Sequence, residues 1–190
     1  MKNILVDCGS NLGQGYEKLC EILKINNDWK IVMFEPNPNC CKILYEKYNM
    51  DNIEIKNCAV YNKNEKINLF IPKNEPLSVG STVYSNFHNS KINQIWDNYE
   101  IIDAIDLSEF ILSLIHEYNI YLKLDVEGSE YDVLEKMISN KSINFVRHLF
   151  VEFHNQYVSI ENLSRYNLDT RKNNILEYLN LNNIGYTIWD

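Results

Sequence analysis

The chain has 190 residues, a formal charge of −8 and an isoelectric point near 5.0. That length suits one domain, residues 1–190, burying roughly 70% of its unfolded surface, and the acidic balance with scattered Lys and Arg excludes a nucleic-acid partner, which needs clustered cations against its phosphates. The five cysteines (Cys8, Cys20, Cys40, Cys41 and Cys58) form no C-x-x-C pair, so neither a disulfide framework nor a zinc site is indicated and a reducing compartment is expected.

Ile4-Leu5-Val6 lacks polar alternation, as a strand buried on both faces of a parallel sheet does. It precedes Asp7 by too few residues to be a signal peptide, and the later apolar run from Ile101 to Leu124 is broken by Asp103, Asp106, Glu109, His116 and Glu117. The expectation is a soluble, cytoplasmic protein with no membrane segment. Asp7 falls at the carboxyl end of the first strand, where open α/β sheets bind ligands. Gly9 and Gly13 let a backbone approach such a ligand, and an acid there suits a cationic amine. Glycines at 9, 13 and 15 do not match the dinucleotide fingerprint G-x-G-x-x-G.

Tyr16, Leu19, Cys20 and Leu23 predict a helix to about Ile25. Lys30 to Phe34 predicts the second strand, stopped by Glu35-Pro36-Asn37-Pro38. Glu35 then sits at a strand end, where paired carboxylate oxygens match a ribose diol. Cys40 to Tyr48 reads as a helix and Ile53 to Ile55 as the third strand. Asn57-Cys58-Ala59-Val60 follows, its small side chains leaving room for a flat heterocycle such as adenine, or simply marking an ordinary turn.

Lys66 to Ile71 and Glu100 to Ile105 read as β segments flanking a long polar excursion. A connection of that length is usually functional or mobile, and this one carries Ser81, Thr82, Tyr84, His88, Trp96 and Tyr99, groups that bind polyols and equally populate a wet hairpin. Asp106 or Ser108 caps a helix whose buried face is Phe110, Ile111, Leu114 and Ile115. In Tyr121-Leu122-Lys123-Leu124-Asp125-Val126-Glu127-Gly128-Ser129-Glu130, Leu122, Leu124 and Val126 alternate with Lys123 and Asp125 along a central fourth strand, so those charges need partners or a ligand. A helix from Tyr131 to Ile138, a strand from Phe145 to Phe153, a helix from Asp169 to Leu181 and a strand from Ile184 to Trp189 complete the chain. Glu152 and His154 reach the same sheet edge as Asp125.

Asp7-Cys8-Gly9-Ser10-Asn11-Leu12-Gly13, Phe34-Glu35-Pro36-Asn37-Pro38, Lys123-Leu124-Asp125-Val126-Glu127-Gly128-Ser129-Glu130 and Val151-Glu152-Phe153-His154 occur in the order found in the FkbM family of S-adenosylmethionine-dependent methyltransferases, which the chain resembles over about residues 4–154. The resemblance implies an α/β fold: a doubly wound, mostly parallel sheet of the class I methyltransferase (Rossmann-like) type, with a long insertion between the third and fourth core strands. The family sheet has seven strands, whereas here one strand follows the last helix, and the substrate loop, 72–99, matches no motif.

By that resemblance the function is O-methylation of a hydroxyl on a sugar, glycan or related small molecule, with S-adenosyl-L-methionine as donor. Asp7, Gly9, Asn11, Gly13, Glu35, Pro36, Asn37, Cys58, Ala59 and Asp125 are the donor-binding candidates. Ser81, Thr82 and Glu152 are assigned to the acceptor. Asp125, Glu127 and His154 are the candidates for deprotonating it, with Glu127 or His154 as base and Asp125 orienting donor and acceptor. These groups with Glu152 also resemble an oxygen-rich divalent-ion set, against which the expectation is a metal-free site in which Lys123 pairs with Asp125 or Glu152. A noncatalytic donor-binding subunit and, less favoured, an NAD-dependent oxidoreductase are the alternatives. The acceptor's identity and the oligomeric state are not legible.

Overall fold

The unbroken apolar run at the amino terminus becomes β1 (Lys2–Cys8), fully buried from Ile4 to Cys8. The computed structural model describes residues 1–71, 76–77, 80–84, 99–157, 164 and 166–189. After β1 come α1 (Gln14–Leu23), β2 (Lys30–Phe34), α2 (Pro38–Lys47) and β3 (Ile53–Lys56). Three further strands, β4 (Ala59–Tyr61), β5 (Glu65–Phe70) and β6 (Tyr99–Asp106), lead into α3 (Leu107–Leu114) and β7 (Tyr118–Leu124). The chain closes through α4 (Glu130–Ser139), β8 (Val146–Val151), α5 (Leu168–Leu181) and β9 (Gly185–Ile188).

The main sheet is six-stranded in the order β3-β2-β1-β7-β8-β9, and every pairing in it is parallel. Period-two alternation of side chains divides the core in two. Ile4, Val6 and Cys8 pack with Leu107, Ile111, Leu134, Met137 and Ile175 on the face covered by α3, α4 and α5. Leu5 packs with Tyr16, Leu19, Leu44 and Tyr48 under α1 and α2. Helices on both faces make the sheet doubly wound, as expected. Of the seven strands the family resemblance implies, the described residues contribute six to this sheet.

The insertion between β3 and β7 folds on itself. Its sheet has the order β4-β6-β5, with β4 parallel and β5 antiparallel to β6. At residues 59–60 the structure has a strand where the sequence reading had an ordinary turn. Ala59 and Val60 are in β4, 4% and 3% exposed, and Ala59 pairs with Ala104. A three-residue strand is shorter than any periodicity can reveal. The predicted fourth strand also ends sooner, at Leu124, because Glu127 (φ 53°) and Gly128 (φ 112°) turn the chain through the left-handed region. Proline both stops β2 and starts α2: Asn37 caps that helix by accepting from the Asn39 N–H at 3.0 Å, with Pro38 in its first turn.

Candidate functional site

The strand order reverses between β1 and β7, and at such a switch point the carboxyl ends of the two strands part to form a crevice. Parallel register places Asp7 directly opposite Lys123. Both are buried, under the α1 face of the sheet, and the Lys123 ammonium lies 3.3 Å from Asp7 Oδ1, 3.2 Å from Asp125 Oδ2 and 3.0 Å from the Gly9 carbonyl that accepts from it. Burial pulls the Lys123 ammonium towards neutrality, but Asp7 and Asp125 outweigh it and hold its pKa above the ordinary lysine value. Among the described residues neither Asp7 oxygen gains a hydrogen bond of good geometry; the contact with Lys123 is one of charge. Asp7 was expected to face a cationic amine. The structure gives its charge to Lys123 and leaves its side chain with 0% exposure, so the acid that keeps an outward face at this junction is Asp125, 22% exposed.

Gly9 (φ 77°) holds the crevice closed at its base: a Cβ there would lie 1.7 Å from the Asp125 carbonyl oxygen. The position serves a backbone-to-backbone approach, joined by the Asp125 N–H donating to Cys8 O at 3.1 Å. At Gly13 (φ 91°), which precedes α1, a Cβ would strike the Tyr48 ring.

Glu35, 4% exposed, accepts from the Asn11 N–H at 2.7 Å through Oε2 and from the Asn37 N–H at 2.8 Å through Oε1. The left-handed turn at Asn11 (φ 46°) brings that amide to it. Desolvation outweighs the two donors and pushes the Glu35 carboxyl up to about 7. Asn57, not anticipated, braces this corner from β3's end: its side-chain amide donates to the carbonyls of Glu35 (2.9 Å) and Pro36 (3.1 Å). Asn37 is fully buried, and its amide donates to Pro76 O at 2.8 Å. Cys58 is half-buried and packs against the main core.

The β7–α4 turn and the end of β8 build a second constellation. His154 is 2% exposed, with Nδ1 2.9 Å from Glu130 Oε1 and Nε2 3.2 Å from Glu127 Oε2. Asp125 Oδ1 and Glu152 Oε1 each lie 3.8 Å from Nε2. Burial lowers the imidazole's pKa, yet Glu130 and Glu127 more than reverse that and hold it well above the usual histidine value. Glu152 is pushed upward by burial and then by Asp125. Glu130, absent from the expected site, is fully buried and also accepts from the Val126 N–H (2.9 Å) and Gly128 N–H (3.0 Å). It stood inside the Lys123–Glu130 motif, but nothing in spacing reveals that a helix's first residue folds back over the preceding turn. Lys123 pairs with Asp7 and Asp125; Glu152 instead joins the histidine.

Two described residues of the excursion after β5 reach one constellation each. Thr82, 1% exposed, pairs with Phe70 through the backbone and donates its hydroxyl to Glu127 O at 2.7 Å. Ser81 Oγ lies 3.5 Å from the Asn37 amide on the Glu35 side. Tyr84 donates to Asp132 of α4, which Arg171 also engages at 2.5 Å. His88 and Trp96 lie outside the described residues, as does most of the 72–99 segment.

A family model described as the methyltransferase FkbM domain matches residues 7–187. No curated protein matches the chain. Among solved structures, it is similar to the crystal structure of a methyltransferase FkbM from Methylobacillus flagellatus KT, at 18% identity and a TM-score of 0.45, covering 75% of this chain and 30% of that one. Among the described residues, no helix is long and apolar enough to cross a membrane.

Proposed function

This chain belongs to the FkbM methyltransferase family, and from that premise we propose that it is an S-adenosylmethionine-dependent O-methyltransferase acting on a hydroxyl of a sugar, glycan or related small molecule. One observation carries the reading: a buried acid at the end of β2 and a carboxylate–imidazole cluster at the ends of β7 and β8 share one sheet edge, with Ser81 and Thr82 reaching one each. The first suits a donor nucleoside and the second an acceptor hydroxyl.

S-adenosylmethionine supplies a methyl group already activated on a sulfonium. The residues fit such a donor at Glu35. Each carboxylate oxygen accepts one backbone N–H and keeps a further lone pair, and two such lone pairs match a vicinal diol. What remains for the chain is to align the acceptor with the methyl carbon and take its hydroxyl proton. Both ring nitrogens of His154 are already within 3.2 Å of carboxylates. The proton therefore passes to an acid that keeps partial exposure, Glu127 or Glu152, 17% and 18% exposed. A base of this kind contributes roughly 10²–10⁴-fold.

Calorimetry with the donor, followed by incubation of the full chain with methyl-labelled donor and a panel of glycans and nucleotide-sugars, tests the proposal. Donor binding with label transfer to a hydroxyl is the expected result. Donor binding without transfer to any acceptor supports a noncatalytic subunit, and binding of NAD in place of the donor overturns the reading.

A further inference from the structure

We infer that Asp125, Glu127 and His154 form a binding site for one divalent first-row cation of the Mn2+ type, with Glu130 as the residue that orients the histidine. One ligand atom from each of the three lies within 4.8 Å of the other two, a span that a single cation closes by drawing each in by modest side-chain rotation. The histidine sets this group apart from an acidic patch. Its ring is 2% exposed, and Nδ1 is fixed by Glu130, itself fully buried and held by the backbone N–H groups of Val126 and Gly128. With that nitrogen engaged, Nε2 is the one directed at Asp125, Glu127 and Glu152. A carboxylate behind the distal nitrogen of a ligating imidazole is the usual arrangement by which proteins fix ring orientation at a metal.

Four carboxylates lie within 3.8 Å of the His154 ring, and Asp125 among them also engages Lys123. Two carboxylates and one imidazole are a mixed hard and borderline set, which takes first-row divalent ions such as Mn2+ and, less tightly, Mg2+. This revises the metal-free expectation drawn from the motifs. The site's purpose rests on the methyltransferase reading: a cation there lowers the pKa of an acceptor hydroxyl and leaves Glu152 to take the proton.

The test titrates the full chain, without donor, with MnCl2 and follows loss of the free Mn2+ resonance, recording a thermal melt for each variant. One site per chain is expected. Glu127→Gln, at a partly exposed position, should weaken it at least tenfold, and Glu130→Gln by roughly 10- to 100-fold, while Glu65→Gln on the surface leaves it unchanged. No Mn2+ binding by the parent chain, or equal affinity in the parent and Glu127→Gln, overturns the inference. Donor calorimetry in parallel separates the two readings. Mn2+ binding without donor binding keeps the cation site and removes the methyltransferase reading, and donor binding without Mn2+ does the reverse.

Discussion

A single carboxyl, Glu35, carries opposite demands from the fold and from the ligand. Burial raises its pKa from 4.5 to about 7, so folding favours the protonated form. Between those two values the unfolded chain has released this proton and the folded chain still holds it. Stability from this group is therefore greatest below pH 4.5 and falls as pH rises to about 7, by about 3 kcal/mol. A diol that donates two hydrogen bonds wants the ionised form. Donor affinity should accordingly rise from about pH 6 to about pH 8, and calorimetry at several pH values measures it. Lys123 and Asp7 act on Glu35 in opposite directions, so Glu35→Gln is the control, and its affinity should be flat over this range. Glu35→Ala should cost about 1.5–3 kcal/mol, or roughly 10- to 150-fold in donor affinity; an unchanged dissociation constant in a folded variant removes Glu35 from the site. Gly9 makes a different demand. With a Cβ 1.7 Å from a backbone oxygen and φ at 77°, Gly9→Ala must separate β1 from the β7 turn. The melt should drop whether or not donor is present, and an unaltered melt contradicts the close packing.

At the level of elements, the side chains that fasten the described part of the excursion include Thr82, to the Glu127 carbonyl, and Tyr84, to Asp132. Tyr84→Phe removes a hydrogen bond to a charged acceptor, worth about 1.5–3 kcal/mol when desolvated. Because this bond anchors the segment carrying Thr82, which reaches Glu127, the variant should raise the acceptor KM more than it weakens donor binding; an effect confined to the donor contradicts that placement. The strands that set the edge were legible because β1 and β2 are continuous apolar runs and because Pro36 and Pro38 end the second so sharply. β4 was not, being three residues long, and Asn57 beside it read as part of a small-residue turn although its amide braces Glu35 and Pro36. Lys123 could be seen to need a partner, and the expected Asp125 is one. That Asp7 is the other depends on the register of two strands more than a hundred residues apart, which no local pattern encodes. Glu130 illustrates the same limit on a smaller scale, since its reach back to Val126, Gly128 and His154 arises from the left-handed turn at Glu127 and Gly128.

For the molecule as a whole, the Asp7–Lys123–Asp125 group lies on the seam joining the β3-β2-β1 half of the sheet to the β7-β8-β9 half. Its energetics decide whether that seam is a source of stability or a constraint. Taking the Asp7 and Lys123 charges out of water is costly, and their attraction roughly offsets this. Once formed, the pair is hard to break singly. Lys123→Met leaves Asp7 buried with 0% exposure and no counter-charge, which should cost about 3–5 kcal/mol. Asp7→Leu with Lys123→Met removes both charges and should recover most of that loss, with Asp125, 22% exposed, turning to solvent. The pKa of Lys123 is raised by folding, so the pair's contribution is fully present below the ordinary lysine value of 10.5 and is lost only above it. Chemical denaturation of the parent, the single variant and the double variant at neutral pH checks the cycle. If the double variant is as unstable as Lys123→Met alone, the loss came from the lysine's packing against Gly15 of α1, and charge is not what joins the two halves.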